Sequence, residues 1–106
     1  MLLNFTVSNF LSFNQPTTFS LFPGKISKQH VVHVLNGKVF DALKGSAIYG
    51  ANASGKTNFI DALMVFQGCV LSETTSHILN HTFKLSKDVN ATEFIVDFEQ
   101  QENAYR

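Results

Sequence analysis

Apolar and polar residues alternate in two stretches of this chain with the period of two that a pleated strand requires. Between residues 2 and 7, Leu3, Phe5 and Val7 fall on one face and Leu2, Asn4 and Thr6 on the other, which predicts an edge or half-buried strand. Residues 92–98 repeat the pattern more sharply, with Phe94, Val96 and Phe98 set against Glu93, Ile95 and Asp97. A β pattern also resumes over Thr17–Leu21, directly after Pro16, a residue that cannot donate to a sheet ladder. The intervening Asn9–Gln15 is a turn carrying Phe10 and Phe13, so the two flanking segments are expected to pair antiparallel. Beyond the last strand, Glu99–Asn103 reads as a polar turn and Ala104–Arg106 as the start of a returning strand.

From Thr57 to about Val70 the period changes to that of a helix. Phe59, Ala62, Leu63, Phe66 and Val70 share one stripe, Ile60 and Met64 widen it, and all are expected in a core. Before this helix, Pro23-Gly24 marks a break. His30–Leu35 and Lys38–Leu43 then flank Asn36-Gly37, a strong hairpin or turn signal. After it, Leu71–Asn80 is polar, a loop or a short second helix. No internal repeat is visible.

With 106 residues the chain is one small domain at most, able to bury about 65% of its unfolded surface. The hydrophobic share of 44%, with eleven Phe, excludes a disordered chain. Charge is balanced overall but uneven. Through residue 60, five Lys against one Asp give +4; from residue 61, two Lys and one Arg against seven acids give −4. No basic run is dense enough to argue nucleic-acid binding by itself. The lone Cys69 excludes an internal disulfide framework, fits a reducing compartment, and on its helix is expected as a buried small hydrophobe. No segment has the apolar length of a membrane span and no leader pattern opens the chain, so a cytoplasmic protein without a membrane partner is expected.

The sharpest chemical signal is Gly50–Thr57, GANASGKT, which fills G-x-x-x-x-G-K-[ST]. Chance places that pattern in roughly one chain in a few hundred of this length, given average residue usage. Its context agrees: Ala47-Ile48-Tyr49 is a short apolar run of the buried-strand kind, and a helical pattern follows. Gly50 and Gly55 are expected to let the backbone curl into a nest of N–H groups for phosphate oxygens, supplemented by the positive end of the helix. Lys56 then reaches the β- and γ-phosphates, and the Thr57 hydroxyl ligates magnesium. A glycine turn that merely caps a helix has no use for lysine and threonine at those two places.

The carboxylates that hold magnesium and orient water in such enzymes do not follow the loop as an apolar run ending in acid. Asp97 lies on a strand that alternates, and so is a poor candidate. A phosphate-loop fold also needs several parallel strands beside the loop strand. The expected fold is therefore α/β: the N-terminal part of a P-loop nucleoside triphosphatase, with antiparallel strands preceding a strand–loop–helix unit, and incomplete without further chain.

Two features carry a family resemblance. The loop continues as GANASGKTN, with Asn52 third and Asn58 directly after the motif, and Asn9-Phe10-Leu11-Ser12-Phe13 precedes it by some forty residues. Together they resemble ABC-type ATPases of the SMC, RecF and OLD kind, including ATPase subunits of bacterial phage-defence systems. Thr82-Phe83-Lys84-Leu85, Thr92–Val96 and Tyr105-Arg106 are similar to that group's region beyond the loop. The resemblance implies that Gly50, Asn52, Ala53, Ser54, Gly55, Lys56 and Thr57 line the phosphates of ATP, with Mg2+ at Thr57. It implies a second ATPase head as partner, in a homodimer or higher oligomer, and admits a nuclease or effector subunit and DNA. Two departures stand out: Leu11 where the group carries a basic residue, and Ala53 where SMC relatives carry glycine. The glutamine, signature, second carboxylate and switch-histidine motifs of the group are not identifiable; Gln67 falls too soon after Lys56.

His77 and His81 with Glu73 would share a helical face, but no H-E-x-x-H is present and no further zinc ligand is placed by pattern. His30 and His33 flank two valines in an expected strand and carry no signal. Three function classes follow: a nucleotide-binding head of an ATPase acting on DNA or on a toxic nuclease; a transporter-type ATPase, disfavoured by Leu43-Lys44-Gly45-Ser46 before the loop; and a nucleotide-binding or structural piece without turnover. For the purified 106-residue chain the expected outcome is weak or no ATP binding, no hydrolysis, and aggregation or residence in a larger assembly. Steady magnesium-dependent ATPase activity from a soluble monomer would overturn this expectation and direct attention to Asp61 and Asp97.

Overall fold

The computed structural model describes residues 1–25, 28–72, 82–85 and 91–106, with backbone alone for residues 28–30 and 72. These residues form a mixed α/β arrangement of mostly antiparallel strands and one helix. Strands β1 (Leu2–Ser8), β2 (Thr17–Ser20), β5 (Glu93–Gln100) and β6 (Asn103–Tyr105) make one sheet in the order β2-β1-β5-β6. Strands β3 (Val34–Asn36) and β4 (Asp41–Leu43) make a separate hairpin, and helix α1 spans Lys56–Ser72. The chain divides into two compact units: Met1–Thr6 with Thr18–Ala47 and Ile95–Arg106, and Val7–Thr17 with Ile48–Phe94.

β1 is a central strand rather than an edge, and its burial alternates strictly. Leu3, Phe5 and Val7 are at most 2% exposed. In the first unit Leu3 O accepts from Leu21 N at 2.8 Å and the Thr6 and Thr18 hydroxyls meet at 2.8 Å, so β2 runs antiparallel to β1 as its pattern predicts. On the other side Met1 and Glu99 exchange backbone hydrogen bonds, and Asn4 Nδ2 donates to Asp97 Oδ2 at 2.9 Å, again an antiparallel order. β5 is therefore flanked on both sides, not left as an open edge.

The polar turn expected over Glu99–Asn103 is shorter. β5 continues to Gln100, Glu99 pairs with Ala104, and only Gln101 and Glu102 turn, at φ 49° and 72°. Two positive φ values are what a two-residue hairpin between twisted strands needs, although Gln and Glu are unusual occupants. Lys38, between β3 and β4, pairs with Glu102 of this turn, and Phe98 stacks on Tyr105 with centroids 5.2 Å apart.

The hairpin signalled by Asn36-Gly37 is present, with Val34, Leu35 and Asn36 opposite Leu43, Ala42 and Asp41. Upstream, the expected strand through His30 and His33 is instead a 3-10 helix, Lys28–His33. β4 is only three residues long and faces Val34–Asn36; the pairing ends with the bond from Lys44 N to His33 O at 2.9 Å, and no described strand faces the residues before His33. The hairpin tip is held by Glu99. Its carboxylate accepts from the backbone N–H of Lys38 at 2.9 Å, Phe40 at 3.0 Å and Val39 at 3.4 Å. A side chain at Gly37 would collide with the Phe40 carbonyl and crowd that carboxylate, so glycine is required by space.

In the second unit Phe94 is the hub. Phe10 and Phe66 meet it edge-on, at 5.6 and 6.1 Å between ring centroids, and Phe59 and Ala62 are buried on α1. The apolar stripe is narrower than its pattern: Ile60, Met64 and Val70 are 49%, 63% and 63% exposed. The core row covers only the face through Phe59, Ala62 and Phe66, and among the described residues nothing covers the other side. Cys69 is half-buried rather than buried. Residues 73–81, with Glu73, His77, His81 and most of the expected loop or second helix, lie outside the described residues. No described helix is long and apolar enough to cross a membrane.

The N–H donors around Glu99, led by that of Phe40, hold its carboxyl below the usual carboxylate range despite the opposing cost of burial. A lowered folded pKa contributes stability that is present above the unfolded value of about 4.3 and is lost as pH falls through the folded value. Glu99→Gln should therefore lower the urea unfolding midpoint at pH 7. The gap to wild type should close as pH is taken below about 4. A gap independent of pH in the same titration would show that the charge is not what stabilises the tip.

Candidate functional site

Gly50–Thr57 forms an exposed loop that ends at the start of α1. The helix begins at Lys56, one residue before its pattern predicts, and Phe59 N to Gly55 O, at 3.0 Å, closes the loop onto its first turn. N–H groups ahead of that bond have no carbonyl within the helix to donate to, which makes this end a place for an anion. Gly50, Asn52, Ala53 and Ser54 are exposed, Gly55 and Lys56 are half-buried, and Thr57 is exposed in the first turn.

Left-handed backbone falls at Ala53 and Gly55, at φ 63° and 90°, and not at Gly50 as expected. The curl thus sits in the second half of the loop, closest to the helix. Ala53 occupies a conformation for which glycine would carry no steric cost. At Gly55 a Cβ would also come within 2.9 Å of Ser12 Oγ.

Lys56 folds back over the loop. Its ammonium donates to Gly50 O and Ala51 O, each at 2.7 Å, and lies 3.4 Å from Ser54 Oγ. Ser54 N in turn donates to Ala51 O at 3.3 Å. The loop's positive group, its small side chains and the helix end are thereby brought together.

The strand expected before the loop is absent. Ala47, Ile48 and Tyr49 lie in no strand and are exposed, Tyr49 by 92%. A short apolar run becomes a buried strand only where other strands pair with it, and no described strand does so.

The sequence indicates Ser12 and Asn58 only as parts of two separate motifs; their contact was not legible. Asn58 Nδ2 donates to Ser12 Oγ at 2.9 Å, across 46 positions of chain. Together they wall an open cleft of ≈ 400 Å³ completed by Leu11 and Thr82–Leu85. The turn bearing Ser12 is itself pinned. Phe10 and Phe13 exchange two backbone bonds, Thr92 Oγ1 donates to Asn9 O at 2.8 Å, and Phe83 N donates to Asn9 Oδ1 at 3.3 Å.

Among acids, Asp97 accepts from Asn4 and pairs with Arg106 at 3.4 Å, and Asp61 is half-buried on α1 one turn beyond Thr57. No group of three or more metal-ligating side chains occurs among the described residues. Comparison of the chain with protein-family models, curated proteins and solved structures finds no match.

The two left-handed positions should respond unequally. Gly55→Ala adds a Cβ at positive φ beside Ser12 and should cost about 1–2 kcal/mol in urea unfolding. Ala53→Gly relieves a similar strain but loosens the unfolded chain, so its net effect should stay within about 0.5 kcal/mol. Equal losses from both variants would contradict the assigned backbone.

Proposed function

We propose that this chain binds ATP through Gly50–Thr57, as the nucleotide-binding part of an SMC-, RecF- or OLD-like ATPase of the cytoplasm acting in phage defence or DNA metabolism. The single observation that carries the reading is the convergence of the Lys56 ammonium, the curled loop and the start of a 17-residue helix in one exposed place. On this reading Lys56 leaves the carbonyls of Gly50 and Ala51 for the nucleotide's terminal phosphates. That exchange replaces dipoles with full negative charge and so favours the ligand. Backbone N–H groups from Gly55 onward receive the phosphate oxygens. The Thr57 hydroxyl is one ligand of a magnesium ion whose role is to neutralise phosphate charge. A second head, a nuclease or effector subunit and DNA are the partners that the family resemblance proposes.

A second reading, nucleotide binding without turnover, is favoured by one observation. Asp97 is committed to Asn4 and Arg106. A transporter ATPase has no feature in its favour.

In the full-length protein, Lys56→Ala should weaken ATP binding by about ten-fold or more, the equivalent of one charge-assisted contact. Thr57→Ala should abolish magnesium-dependent turnover while Thr57→Ser keeps most of it. Unchanged nucleotide affinity in the first case, or serine as damaging as alanine in the second, would remove the corresponding assignment.

A further inference from the structure

Helix α1 begins without the usual side-chain cap. Its N-cap position is Gly55, which has no oxygen to offer the first N–H groups. Three residues on, where a capping box would send a side chain back to the N-cap backbone, Asn58 reaches the other way and donates to Ser12 Oγ at 2.9 Å. Ser12 also packs against the Cα of Gly55, since an added Cβ there would lie 2.9 Å from its oxygen and 3.9 Å from its own Cβ. The loop–helix junction is thus held by a serine from a distant turn.

That turn is suited to act as a fixed support. Phe10 is fully buried against Phe94, Asn9 and Leu11 hold left-handed backbone at φ 48° and 47°, and Asn9 is tied to Thr92 and Phe83. A hydroxyl displayed from it has little freedom to move.

We infer that Ser12 is a positioning residue for the phosphate loop, acting through Asn58 and Gly55 to fix the angle at which the loop meets α1. The inference rests on the proposed nucleotide-binding reading and adds to it a residue outside the loop. Without Ser12 the helix start keeps its backbone bond from Phe59 but loses its lateral restraint, so its N–H groups spread over more directions. Phosphate binding then has to restore the order, and affinity falls.

The test titrates ATP with magnesium into the full-length protein as wild type, Lys56→Ala, Ser12→Ala, Asn58→Ala and the Ser12→Ala/Asn58→Ala double variant. Urea unfolding without nucleotide runs in parallel. Ser12→Ala and Asn58→Ala should each weaken ATP by about three- to ten-fold, the range of one ordinary hydrogen bond. The double variant should be no weaker than either single one, and the nucleotide-free unfolding midpoint of Ser12→Ala should stay at the wild-type value. Wild-type affinity in Ser12→Ala, additive losses in the double variant, or a fall in affinity matched by a fall in the nucleotide-free midpoint would overturn the positioning role and leave the loop assignment standing. Absence of saturable ATP binding by wild type, or unchanged binding by Lys56→Ala, would overturn the loop assignment and the positioning role together.

Discussion

Burial of one face of β1 is the constraint from which the sheet follows. Leu3, Phe5 and Val7 stand on the same side of a seven-residue strand and are almost completely removed from water. Fully burying one such side chain contributes about 1.5–3 kcal/mol, so the three outweigh any single hydrogen bond in the sheet. A one-residue slip would expose all three and bury Asn4 and Thr6, which sets the register of the strands on either side. Antiparallel neighbours suit this arrangement because each can present alternate residues to the same face.

Charge is used differently in the two units. In the first, the Glu99 carboxylate accepts from three successive N–H groups and organises the tip of the β3–β4 hairpin, to which the sequence separation is about sixty residues. In the second, the Lys56 ammonium donates to two carbonyl oxygens of its own loop. One is an anion satisfied by backbone donors and the other a cation satisfied by backbone acceptors. Their consequences differ with exposure. Glu99 is enclosed by a tight turn at which even a Cβ on Gly37 is excluded, whereas the Lys56 contacts are exposed and open to competition by a stronger anion.

The junction of loop and helix illustrates how local strain is placed. Ala53 and Gly55 both take left-handed backbone within three residues, and Asn9 and Leu11 do so in the turn that supports them. Each non-glycine residue in that region costs on the order of 1 kcal/mol, and such conformations persist only where surrounding contacts hold them. In the supporting turn those contacts are the buried ring of Phe10 and the paired bonds between Phe10 and Phe13.

The sequence by itself determined those elements whose pattern is local and repeated. Alternation placed β1, β2 and β5, Asn36-Gly37 placed the hairpin, and the 3.6-residue period placed α1. Tertiary structure decided whatever depends on what lies opposite. Ala47–Tyr49 has the composition of a buried strand but no described strand beside it, and it is exposed; Val31 and Val32 likewise sit in a 3-10 helix. Ile60, Met64 and Val70 obey the helical stripe, yet among the described residues they stay exposed while Phe59 and Ala62 are buried. Glu99, expected in the turn, lies in β5 by backbone pairing with Ala104 and Met1, and its carboxylate accepts from three donors. Within the site, the residues of Gly50–Thr57 were legible because the motif is contiguous. Which of them curls left-handed, and that Ser12 meets Asn58, were not, because a contact across 46 positions leaves no period or spacing in the chain.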